Sequence, residues 1–105
     1  MPKFVFAYHG GAKPESEEDV AKVMGAWKAW MGGMGDAIVD MGNPVGLSKT
    51  VSAGGVADNG GSNPLGGYTL VKADDIDKAV ELAQGCPILD SGGSVEVAEA
   101  IEMNM

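Results

Sequence analysis

The only histidine of this chain, His9, is the residue best suited to move a proton. Imidazole is the one side chain whose ordinary titration falls near neutrality, and His9 ends an apolar run just before Gly10-Gly11, where small residues leave space for a substrate. A histidine base needs an acid to orient it, and Asp36 or Asp40 supplies one where strand register brings it alongside. His9 and Asp36 are therefore the candidate catalytic pair. The plainer uses are a strand-end histidine bonded to a loop and an aspartate that opens a turn.

A second group of residues suits holding a molecule rather than transforming it. Trp27 lies in a stripe with Met24, Trp30, Met31 and Met34, side chains that line an aromatic-binding cavity or simply fill a core. Tyr8 and Tyr68 carry hydroxyls on apolar runs, where a buried phenol needs a partner in the protein or in a ligand. The segment Gly42-Asn-Pro-Val-Gly-Leu-Ser-Lys49 offers an amide at Asn43, a hydroxyl at Ser48 and a cation at Lys49. That set suits a carboxylate or hydroxyl, and it equally suits a tight turn. The candidate ligand-binding residues are thus Tyr8, Trp27, Asn43, Ser48 and Tyr68.

Other chemistries find little here. Cys86 follows a helix C-terminus, whose negative dipole end disfavours the thiolate, so it is not expected to act as a nucleophile. One His and one Cys cannot furnish the usual transition-metal set, and Asp58–Asn63 lacks EF-hand spacing, so no metal or other cofactor is expected. Gly10-Gly11 stands between a strand and a helix, yet no phosphate-binding glycine motif occurs there and acids at 15, 17, 18 and 19 would repel phosphate.

These residues must be positioned by a short succession of elements. Lys3–His9 reads as a strand, with Phe4, Phe6 and Tyr8 facing one way and Val5, Ala7 and His9 the other. Both faces are apolar, as in a sheet covered on both sides. Ser16 and Asp19 form a capping box for a helix whose stripe, Val20 to Met34, ends near Gly32-Gly33 or Gly35. Gly25 inside that helix costs roughly 1 kcal/mol relative to Ala and suggests a close contact or room for a ligand. Asp36–Met41, Ser48–Ala53 and Tyr68–Lys72 read as strands, with a polar loop and a brief strand near Val56 between the last two. Asp74, with Asp77 three residues on, caps a second helix that buries Ile76, Ala79, Val80 and Ala83 and stops at Gly85 and Pro87. Ser94–Met103 reads as the last strand, Val95, Val97 and Ile101 inward and Glu96 and Glu102 outward.

The order predicts an α+β fold, the ferredoxin-like βαββαβ arrangement with an antiparallel sheet and both helices on one face. Two helices leave the other face bare, so a homodimer with sheets packed face to face is expected. The chain's 105 residues suit a single domain spanning 1–105, small enough to gain from such a partner. Seven lysines against fifteen acids, a net charge of −8, oppose nucleic acid and anionic membranes. No signal-like or membrane-spanning stretch stands out, and a soluble cytoplasmic protein is the expectation.

The segments Tyr8-His-Gly-Gly11, Gly42-Asn-Pro-Val-Gly46, Ser48-Lys-Thr-Val51, Gly66-Gly-Tyr-Thr-Leu70, Ala79–Pro87 and Gly92-Gly-Ser-Val-Glu-Val97 together resemble the YCII-related (DGPF) family over nearly the whole chain. The resemblance implies a dimeric α+β barrel, a group that often holds small, flat, oxygenated molecules between sheet and helices. It implies no assigned reaction. The family's frequent pairing of a strand-end acid with a histidine on the first helix is not matched: His9 occupies the strand end, the first helix has no histidine, and the DGPF tetrapeptide is missing before Gly66. The expectation is a small homodimeric enzyme acting on a polar or aromatic metabolite with His9 as acid/base; the alternative is a non-catalytic small-molecule-binding or dimeric interaction module.

Overall fold

The computed structural model describes residues 1–11 and 14–103. In chain order the elements are β1 (Lys3–His9), α1 (Glu17–Met34), β2 (Ile38–Asp40), β3 (Thr50–Ser52), β4 (Gly55–Ala57), β5 (Leu65–Lys72), α2 (Ile76–Ala83) and β6 (Ser94–Ala100). Four strands form one antiparallel sheet in the order β2-β5-β1-β6, the ferredoxin-like arrangement. No helix is long and apolar enough to cross a membrane.

The alternation in β1 decides which face becomes the core. Phe4 and Phe6 are fully buried and Tyr8 nearly so, and register sets them opposite Val71, Thr69 and Gly67 of β5 and beside Val97 and Val95 of β6. Paired residues of neighbouring strands share a face, so these side chains make one apolar floor. Ala79 and Ala83 of α2 close on it, and Cys86 completes the same cluster. From α1, Trp30 stacks on Phe6 with ring centres 6.1 Å apart and donates its indole N–H to the Leu82 carbonyl at 2.9 Å.

Helix α1 starts as expected: the Ser16 hydroxyl accepts the Asp19 amide at 3.1 Å, and three acids occupy the first turn. It ends at Gly35, whose N–H reaches the Met31 carbonyl. Its apolar stripe is only partly used. Met34 alone is buried, while Val20 and Met24 are 42% and 61% exposed. A Cβ at Gly25 would meet nothing within 4 Å, so this glycine serves no close contact.

Several boundaries differ from the sequence reading. Gly35–Ala37 forms a 3-10 turn, which shortens the second strand to Ile38–Asp40. The third strand leaves the sheet altogether: Thr50–Ser52 pairs with Gly55–Ala57 in a separate hairpin, because a two-residue turn at Ala53-Gly54 supplies a nearer partner. Asp75, not Asp74, caps α2, accepting the Lys78 amide at 2.9 Å from an extended backbone. On α2 the small residues face the sheet, and Ile76 and Val80 remain 46% and 38% exposed. β6 stops at Ala100 because its partner β1 begins at Lys3, so Ile101 is 75% exposed rather than inward. Val5, Ala7 and His9, with Tyr68 and Leu70 of β5, occupy the face opposite the helices, and no element among the described residues packs over it.

Candidate functional site

Because α1 stands off the β5 side of the sheet, a cleft of about 560 Å³ opens beneath it. Val23, Met24, Trp27 and Met31 form one wall, Met41 to Pro44 the other, and Tyr8 with Gly66 to Thr69 the floor. Trp27 meets Tyr8 edge to face, ring centres 5.0 Å apart and planes at 84°. Such a size, mostly apolar with a few polar groups, is that of a small-molecule site, commonly about 300–1,000 Å³. A second hollow of about 340 Å³ between α2 and β6 has Gln84 as its one polar side chain among Val80, Ala83, Leu89, Val95 and Val97. It offers less to orient a ligand.

Local chemistry fixes the polar wall. Gly42 sits at φ +72°, and a Cβ there would overlap the Tyr68 carbonyl, so only glycine lets the chain pass so close to β5. The Asp40 carboxylate accepts the Gly42 amide at 2.8 Å. The Asn43 carbonyl accepts the Tyr68 amide at 3.2 Å, and the Gly66 carbonyl accepts the Val45 amide at 3.1 Å. Asn43 is thereby laid across the end of the strand. Its Nδ2 donates to the Tyr68 hydroxyl at 3.2 Å, and because Tyr68 alternates with buried Gly67 and Thr69 its ring lies on the bare face, so this pair is turned away from the helical side.

The hydroxyls of the floor are engaged within the chain. Tyr8 donates its hydroxyl to Thr69 Oγ1 at 2.6 Å, and Thr69 donates in turn to the Met41 carbonyl at 3.0 Å. Burial pushes the Tyr8 phenol up to about 12, with the Thr69 bond opposing that rise. Tyr8 therefore contributes an uncharged aromatic surface. Thr69, fully buried, was not singled out in the sequence; its position two residues before Val71, on the same strand face, was the available sign.

Tyr8, Trp27 and Asn43 border one cleft together with the Tyr68 backbone, while the Tyr68 ring lies on the opposite face of the sheet; Ser48, His9 and Asp36 do not border it. Ser48 lies at the root of the β3–β4 hairpin, where a Cβ on Gly60 would come within 2.7 Å of its hydroxyl. Lys49 pairs with Asp58 at 3.3 Å on the surface. His9 is the neighbour of Tyr8 on a strand, so its ring points to the other face. There Nδ1 lies 3.1 Å and 3.2 Å from the Asn63 and Pro64 carbonyls, and Nε2 lies 3.2 Å from the Glu96 carboxylate. All three partners are acceptors, and neither ring nitrogen is turned to the cleft.

The carboxylate that contacts His9 is that of Glu96, not Asp36 or Asp40. Ile38 is level with Val71 and hence with Phe4, five residues, about 17 Å, along β1 from His9, and Asp36 lies beyond Ile38. Asp40 is level with Val5 and holds Gly42. Cys86 is 2% exposed and burial pushes its thiol up to about 11, an inert setting. Among the described residues no three His, Cys, Asp or Glu side chains gather as a metal site.

Fold and cleft together define a ferredoxin-like α+β domain with a small-molecule-sized opening between its first helix and its sheet. The chain belongs to the YCII-related domain family, whose model matches residues 4–104. No curated protein matches it. Membership accords with the resemblance carried by the glycine-rich segments, several of which border the cleft.

Proposed function

We propose that this protein is a homodimeric small-molecule-binding domain whose ligand, a compact aromatic metabolite with polar substituents, lies in the cleft between α1 and β5. The observation that carries the reading is the apolar cavity of about 560 Å³ between α1 and β5, lined by Trp27 and Tyr8. Trp27 and Tyr8 offer ring faces and edges to a flat apolar body, and Lys28, which also lines the cavity, offers an ammonium donor to its polar substituents. The bare sheet face around Val5, Ala7 and Leu70 supports the homodimer, since a second copy of that face would cover it. A cytoplasmic setting accords with the lone free thiol of Cys86.

The catalytic reading, in which His9 acts as acid/base with Asp36, has less support. His9 faces away from the cleft with both ring nitrogens engaged, and Asp36 is at the far end of the sheet.

Calorimetric titration with 4-hydroxybenzoate as a probe tests the proposal. Trp27→Ala should weaken binding by roughly tenfold or more, and His9→Gln should leave it within about twofold. Loss of binding in His9→Gln with retention in Trp27→Ala would move the site to the opposite face.

A further inference from the structure

Among the described residues no helix or other strand packs substantially on the β3–β4 hairpin. Val51 and Val56 stand opposite each other across it and are 76% and 63% exposed, and Leu47 at its base is fully exposed. The other hairpin face carries Thr50, Ser52, Gly55 and Ala57. One face is apolar and one polar, the pattern of a strand pair made to lie on a surface. An isolated two-stranded hairpin is marginal in water, and this one has three residues in each strand.

The whole chain is correspondingly under-packed. A chain of 10.7 kDa folded alone exposes about 5,500 Å², whereas this one exposes 7369 Å², an excess of about 1,900 Å². Its radius of gyration is 15.1 Å against about 13 Å for a compact chain of this length. The excess falls within the roughly 1,000–2,500 Å² that each protomer contributes to an obligate homodimer.

We infer that the hairpin is an arm that packs its Val51–Val56 face on a second copy of this chain. The inference rests on the homodimer reading and adds to it the element that clasps. The root of the arm is fastened to the rim of the bare sheet face, where the His9 ring meets the Asn63 and Pro64 carbonyls, so a copy covering that face comes within reach of the arm. The arm is also neutral: Lys49 and Asp58 pair with each other, which suits contact between two copies that each carry a net charge of −8.

The test is the molar mass and dissociation constant of the wild-type chain and of a Val51→Lys, Val56→Lys double variant by sedimentation equilibrium, with amide exchange of the arm followed over protein concentration. The wild type should be a dimer whose arm amides exchange more slowly as the dimer fills. The double variant should dissociate with a constant raised roughly tenfold or more. A variant as tightly dimeric as the wild type, or arm amides indifferent to dimer formation, overturns the arm and leaves the homodimer standing. A wild type that stays monomeric overturns both. Both replaced side chains are exposed, and unchanged near-ultraviolet dichroism of the variant confirms an intact body.

Discussion

Tyr8 shows how a residue apt for chemistry is assigned instead to architecture. Its hydroxyl bonds Thr69, and Thr69 bonds Met41, so a chain of two hydrogen bonds ties the floor of the cleft to its polar wall. The folded state holds the phenolic proton up to about pH 12, whereas an ordinary tyrosine releases it near 10.0. Stability is therefore fully present below about pH 10 and falls as pH rises toward about 12, because the unfolded chain loses the proton first. Urea unfolding across that window should show a fall in the wild type that Tyr8→Phe lessens, while the variant loses about 1 kcal/mol at neutral pH. Residue type alone pointed to Tyr8 and Trp27, whose rings meet beside the cleft. It did not separate His9 from Tyr8, although strand alternation already set the two on opposite faces, and it could not place the Tyr68 ring without the register of β1 against β5. Glu96 could not be chosen as the partner of His9 without the register of β6 against β1, which a single sequence does not carry.

At the scale of elements, local signals were readable and pairing was not. The Ser16 cap, the β1 alternation and the stop after α2 follow from side chains within a few residues of one another. Whether Thr50–Ser52 joins the sheet or folds back on Gly55–Ala57 depends on a competition between partners that composition does not settle. The α1 stripe was equally ambiguous: apolar spacing showed that one face is sheltered, not that part of it borders an open cleft rather than core. Gly25 gives a direct check on that helix. With no atom within 4 Å of a Cβ placed there, Gly25→Ala should stabilise the protein by about 1 kcal/mol, read as a rise in the denaturation midpoint without change in cleft binding. A destabilised variant would mean that α1 packs more closely than described.

For the whole molecule, one sheet face is served by two helices and the other by no element among the described residues. The apolar alternation of β1 made that visible from the sequence, and the ferredoxin-like order β2-β5-β1-β6 bears out the fold class. The same topology separates two surfaces: the helical side holds the cleft, and the bare side holds His9, Glu96 and the root of the arm. Ligand binding and association are therefore expected on opposite faces of the sheet. The most direct test uses the two indole N–H signals and the single imidazole in one NMR titration with 4-hydroxybenzoate. Trp27 lines the cleft, Trp30 is tied to the Leu82 carbonyl outside it, and His9 reports the opposite face. The account predicts a saturable shift of the Trp27 indole with the Trp30 and His9 signals nearly still; a shift led by His9, with Trp27 unmoved, would contradict it.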